Sequence, residues 1–152
     1  MAYPSIYLSS TTEELFRRID QLNAQSQGLW GKMTVGQMLS HCAVPYEQIL
    51  GLNTLQPPLL MRIILNLFLK KSMVNEVPYK QNLPTAPSFI RTEQYDVAIE
   101  KERLKDLIKT IHEMGSEKLA RTPSLSLGKL TATEWNNLLY KHLDHHLQQF
   151  GV

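Results

Sequence analysis

Apolar residues recur at helical spacing in four long stretches of the chain, and no stretch alternates apolar and polar positions as a half-buried strand requires. The first stretch runs from about Thr11 to Asn23, with Leu15, Phe16, Ile19 and Leu22 on one face. Ser10 or Thr11 is positioned to cap it, and Glu13 and Glu14 suit the positive end of its dipole. The second starts at Thr34, where Thr34 and Gln37 form a T-x-x-Q capping box. Val35, Met38, Leu39, Cys42, Tyr46, Ile49 and Leu50 make its stripe, Pro45 should kink it, and Gly51 is its expected stop. The third covers about Thr92 to Met114, with Val97, Leu104, Leu107, Ile108 and Ile111 facing inward and Gly115 ending it. A loop, GSEKLARTPSLSLGKL, should follow. A second capping box, Thr131 with Glu134, opens the last helix, from Ala132 to about Phe150.

Between the second and third stretches lies PPLLMRIILNLFLKK, a shorter helix opened by Pro57 and Pro58. Only Arg62, Asn66 and Lys70 interrupt its apolar surface, and a helix apolar on nearly all sides is usually buried. It is expected to pack across the bundle, cover a pocket or form a homodimer interface. NEVPYKQNLPTAPSFIR, residues 75–91, holds Pro78, Pro84 and Pro87 and reads as an extended crossover. The pattern predicts an all-α four-helix bundle with a long crossover and a short extra helix between helices 2 and 3, in one domain over residues 1–152.

Composition narrows the function classes. Sixteen basic and 14 acidic residues leave a net charge of +2, and the longest basic run is Lys70-Lys71, which argues against a nucleic-acid partner. The apolar stretch Leu59–Leu69 is about half the roughly 20 residues a spanning helix needs, so no membrane association is expected. Cys42 is the sole cysteine, compatible with a reducing cytoplasm, and the first residues, MAYPSIYLSSTTEE, carry no signal-peptide pattern.

Candidate chemistry sits in YKHLDHHLQQF, residues 140–150, which holds three of the five histidines. At about 100° per residue, Trp135, Leu138, Leu139, His142, His146 and Phe150 share one arc. His142 and His146 lie near its centre, His145 falls on the flank, and Lys141, Asp144 and Gln148 fall outside it, Asp144 on the expected solvated face. Buried imidazoles need partners for their ring nitrogens, and one divalent cation satisfies two rings spaced four apart on a helix. A buried histidine can equally be a hydrogen-bonded core residue, so a bundle without metal stays open. Periodicity does not choose a third ligand. His112 sits where a histidine often complements a helix dipole, and His41 lies about 120° from the centre of its own stripe. Cys42 is on the stripe, as ligand, nucleophile or small apolar residue.

Two stretches carry a resemblance: WGKMTVGQMLSHCAVPYE, residues 30–47, and GKLTATEWNNLLYKHLDHHLQQFGV, residues 128–152. They resemble the DinB/YfiT-like superfamily, in its branch of uncharacterised bacterial proteins with W-x-K-M-T-x-x-Q-M-L-x-H-C and H-L-D-H-H-L-x-Q-F. The tract NLPTAP fits the same branch, while RTPSLSLGKL departs from it. The resemblance spans essentially the whole chain. It implies a bundle holding a divalent metal on His41, His142 and His146, with Gln149 beside the site and His145 outside the ligand set.

Three protein nitrogens leave an open coordination position, the pattern of a catalytic site, and imidazole suits Zn or Ni. By the analogy, the chain is a metal-dependent transferase or hydrolase acting with hydroxide or a low-molecular-weight thiol. No catalytic residue is assigned; Gln37 and Tyr46 are candidate pocket residues. The alternative is a non-catalytic, stress-related dimer that binds metal or a small ligand.

Overall fold

Thr34 and Thr131 each start a helix by a reciprocal exchange that their local sequence dictates. The Thr34 hydroxyl accepts from the Gln37 N–H at 3.3 Å while the Gln37 side chain accepts from the Thr34 N–H at 3.0 Å. The Thr131 hydroxyl accepts from the Glu134 N–H at 3.2 Å and the Glu134 carboxylate accepts from the Thr131 N–H at 2.8 Å. These boxes open α2 (Val35–Ile49) and the last helix, α6 (Ala132–Gln149). The structure, a computed structural model, describes residues 2–152. Besides these two helices it holds α1 (Ser9–Asp20), α3 (Leu59–Ile64), α4 (Lys70–Val74) and α5 (Val97–Arg121). A π-helical turn, Leu65–Leu69, joins α3 to α4, and a 3₁₀ turn, Pro87–Phe89, lies in the crossover. The fold is an all-α bundle; the described residues contain no strand, only an isolated bridge between Ser124 and Gly128.

The core is built by the apolar stripes read from the sequence. Leu15 and Ile19 of α1, Met38, Leu39 and Cys42 of α2, Leu104 and Ile111 of α5, and Trp135, Leu138 and Leu139 of α6 are all buried; Leu143 and Leu147, outside the arc read for the last helix, are buried as well. α5 packs on α1, α2 and α6, and α2 also meets α6. α2 runs through Pro45 to Ile49, and Gly51 follows at φ +73°, where a non-glycine residue would be strained. None of the described helices is long and apolar enough to cross a membrane.

Four local expectations need correction, each for a tertiary reason. α1 starts at Ser9 with Leu8 at the cap position and no side-chain cap, so Ser10 and Thr11 lie inside the helix. Its entry is set instead by the segment before it: the Ile6 N–H donates to Asn136 Oδ1 at 2.8 Å and the Tyr7 hydroxyl to the Ala132 carbonyl at 3.0 Å. α5 starts at Val97, not Thr92, because Asp96 caps the Ile99 N–H at 3.0 Å and the residues before it pass over α2. A Cβ on Gly36 would sit 2.5 Å from the Tyr95 carbonyl oxygen, so only glycine permits that approach. Gly115 breaks the α5 backbone at φ 78°, ψ 166°, but helix resumes to Arg121 where a loop was expected, and this turn buries Leu119.

The fourth correction concerns polarity. Lys141, placed outside the buried arc by its angle, is 1% exposed. Its ammonium donates to the carbonyls of Ser72 and Asn75 at 2.8 Å each, to Val77 O at 3.1 Å and to Asn75 Oδ1 at 3.0 Å, and it lies 4.6 Å from the Tyr79 ring centroid. Burial pulls its pKa down to about 8. Asp144 is likewise not on a solvated face; it pairs with Arg18 at 2.8 Å, both side chains largely covered. Conversely, the α3–π–α4 segment, expected to be buried, buries only Leu65 and Val74.

Removing a reciprocal cap should cost about 1 kcal/mol. Thr131→Ala is therefore expected to lower the urea midpoint by that equivalent without changing helix content by circular dichroism. An unchanged midpoint would show that tertiary contacts alone hold the start of α6.

Candidate metal centre

Spacing on α6 brings two imidazoles to one place, and α2 delivers the third. The ring centroids of His142 and His146 are 4.9 Å apart, and His41 stands 4.8 Å from the first and 4.7 Å from the second. One ligand nitrogen from each ring can be chosen so that all three lie within 4.8 Å of one another. Two nitrogens on one tetrahedral zinc, each about 2.0–2.1 Å from it, are about 3.3 Å apart, so side-chain rotations of an ångström or so bring the set onto one ion. His41 and His146 are buried, while His142 keeps part of its surface accessible.

His41 reaches the site because its flank is covered. Its helix is buried on the off-stripe side as well, at Ser40, Ala43 and Val44. The 3₁₀ turn of the crossover lies against His41: the Phe89 ring centroid is 5.8 Å from the imidazole, and His41 Nδ1 is 3.0 Å from the Phe89 carbonyl oxygen.

Hydrogen bonding sets the tautomers. A carbonyl oxygen only accepts, so His41 Nδ1 carries the proton donated to Phe89 and the neutral ring leaves Nε2 bare. The Gln149 amide is oriented in the same way. Its Nε2 donates to the Trp30 carbonyl at 2.7 Å, which turns Oε1 toward His146 Nδ1 at 2.8 Å and makes that nitrogen a donor. His146 Nε2 is then bare too. His142 Nε2 lies 2.8 Å from the bare His41 Nε2 and must be the donor of that contact, which leaves His142 Nδ1 buried with no partner. The three rings thus hold two unprotonated Nε2 atoms, of which that of His41 accepts from His142, and one orphan, a donor set suited to a cation. Their protonation is opposed first by burial, with the charge of Arg91 adding to it at His41 and that of His41 at His142 and His146: His41 lies below the usual imidazole range, His142 well below it, and His146 is down to about 3.

Other sequence candidates lie elsewhere. His145 lies tilted to Trp30 and edge-on to Tyr79, each with centroids 5.8 Å away, and edge-on to His146 at 5.2 Å, but is not among the converging three. His112 bonds the Ile6 carbonyl at 3.1 Å and Ser9 Oγ at 3.5 Å, tying the N-terminal segment to α5 rather than complementing a helix end. Cys42 is buried against the Met38 sulfur at 3.7 Å, with its thiol pKa pushed up by burial, and serves as core. Gln37 caps α2 and donates to the Glu93 carbonyl at 3.3 Å. Tyr46 is buried with its hydroxyl unpartnered and makes no hydrogen bond to the rings. Of these pocket candidates, Gln149 is the one that hydrogen-bonds a histidine of the cluster among the described residues.

Two groups at the site escaped sequence reasoning, the carbonyls of Phe89 and Trp30, because a carbonyl carries no residue signature. Gly31 is the one partial signal. It adopts φ +79°, and a Cβ there would lie 2.4 Å from Gln149 Nε2, so glycine is required where the Trp30 turn meets the amide.

A family model described as "Protein of unknown function (DUF1569)" matches residues 8–151. No curated protein and no solved structure matches the chain. The family match overturns the resemblance to the DinB/YfiT-like superfamily, since the matched family is a distinct one. The motifs behind that resemblance are dominated by local physics: a T-x-x-Q capping box and histidines four apart on an inward face. Helix geometry alone favours both, so they separate bundle families poorly.

Burial of neutral imidazoles gives the metal-free protein an acid-sensitive stability. Unfolding restores each ring to a pKa of about 6.5, so below that pH the unfolded chain binds protons that the folded chain refuses. The contribution of these rings to stability should be level above about pH 6.5 and fall as pH drops toward 3, the folded value of His146. Urea titrations at pH 8 and pH 5 test this; an equal loss in His146→Leu would refute the assignment to that ring.

Proposed function

We propose that this chain, which belongs to the DUF1569 family of proteins of unknown function, holds one divalent cation on His41, His142 and His146 and presents its open position to a small ligand. The observation that carries this reading is the convergence of three neutral rings, two of them with Nδ1 anchored and Nε2 bare. Ligating histidines commonly donate their second nitrogen to a carbonyl in this way, which orients the ring and raises its basicity. Imidazole donors favour zinc or nickel over calcium or magnesium. When bound, such an ion lowers the pKa of a water or thiol in its open position.

The chain's own residues orient the ligands and limit water. Phe89 O fixes His41 and Gln149 fixes His146, while His142 is partly exposed as a residue with its Nδ1 buried. This supports a metal-dependent hydrolase or transferase using water or a low-molecular-weight thiol. A second reading, a non-catalytic small-ligand binder, is favoured by one feature: the hydrogen bonds of the three rings go to the Phe89 carbonyl, to Gln149 and to one another, and none goes to a carboxylate.

Elemental analysis of tag-free protein tests the site. One equivalent of metal is expected in the native chain and in His145→Ala, with loss in His41→Ala, His142→Ala and His146→Ala. Equal loss in all four, or no metal in any, would remove the model. Gln149→Leu should weaken affinity about 10–100-fold while leaving the ligand set intact. Turnover of water- or thiol-dependent test substrates by the loaded protein, absent in His142→Ala, separates enzyme from binder.

A further inference from the structure

The segment Leu59–Val74 is inside out. Two groups of its polar strip reach the body of the protein: Asn66 Nδ2, from an exposed side chain, donates to the Ser126 carbonyl at 3.1 Å, and Lys70 Nζ donates to the Lys129 carbonyl at 2.8 Å; Arg62 is half-buried. Its apolar side chains face outward. Leu59, Leu60, Ile63, Leu67 and Phe68 are between 48% and 74% exposed. With their partly exposed neighbours they present on the order of 800 Å² of contiguous apolar surface, beyond the largest patch of a typical monomer and equal to one side of a standard protein interface. The π turn Leu65–Leu69 lies in the middle of this face, and such turns occur mostly where a helix is adapted to a site.

We infer that this face is covered by the same face of a second copy of the chain, across a twofold axis near Ile63 and Leu67. The area is what a stable dimer needs on each side. The charge distribution also fits self-pairing. Lys70 is taken up by the Lys129 carbonyl, Arg62 is half-buried, and Lys71, at the C-terminal edge, is the sole exposed charged residue from Leu59 to Lys71. Apposing the face to itself therefore brings no like charges together at its centre. An anionic lipid surface is the weaker fit, because adsorption there draws on several free basic residues and this face offers one. Burying these side chains on association supplies the hydrophobic driving force that the intramolecular packing leaves unused.

Sedimentation equilibrium of the full chain at micromolar concentration tests the inference. The native protein is expected at twice its 17.5 kDa chain mass. Leu60→Glu combined with Leu67→Glu should return it to the monomer mass with unchanged helix content, since both side chains are solvent-facing within one chain. Leu29→Glu, equally exposed but outside this segment, should remain dimeric. The milder Phe68→Ser should raise the dimer dissociation constant at least tenfold, which covers the case of a double variant that fails to fold. A monomeric native protein, or a dimer that all helix-face variants leave intact, overturns the proposal. So does a monomer that co-sediments with phosphatidylserine vesicles, which would assign the face to a lipid surface. Metal content does not enter these readouts, so the outcome is independent of the histidine site.

Discussion

Buried imidazole is the constraint around which this bundle is arranged. A ring in an apolar core still has two polar nitrogens, and each one left alone costs free energy comparable to a lost hydrogen bond. Here three rings share one pocket, and the surrounding backbone answers for two of them: the crossover supplies the Phe89 carbonyl and the turn before α2 supplies the Trp30 carbonyl through Gln149. His142 has no such partner at Nδ1. The asymmetry leaves the cluster unbalanced as a hydrogen-bond network and well matched to a cation.

The same logic places the crossover. Residues 72–77 are drawn against α6 by the Lys141 ammonium, which collects three carbonyls and one side-chain oxygen in place of water. Some residues further on, the 3₁₀ turn lies on His41. A segment without long helices of its own is thus held at two points by side chains from α6 and α2: Lys141, next to His142 in the chain, and the proposed ligand His41 itself. The crossover is a wall of the site as much as a connection, which explains how a histidine off the stripe of α2 becomes a core residue.

The exposed apolar side chains cluster most densely in the Leu59–Leu69 segment, and the reason is again polar. Asn66 and Lys70 find carbonyls on the loop before α6, and meeting those acceptors turns the apolar side of Leu59–Leu69 toward solvent. Composition alone suggested a buried helix. The few polar groups decided which way it faces, because they take the available acceptors on the body while the apolar side can be satisfied by any apolar neighbour, including another chain.

Sequence by itself determined the parts of this protein that depend on neighbours three and four residues apart. The boxes Thr34–Gln37 and Thr131–Glu134, the stripes of α2, α5 and α6, and the inward aim of His142 and His146 all follow from helix geometry acting on local residue order. Tertiary structure decided whatever depends on what lies across a helix flank. It buried His41 under the crossover, buried Lys141 by giving its ammonium four acceptors, set the start of α1 through Asn136, and turned the α3–α4 segment inside out. A period of 3.6 residues records which side chains share a face; it holds no record of which distant carbonyl or ring will arrive to cover the others.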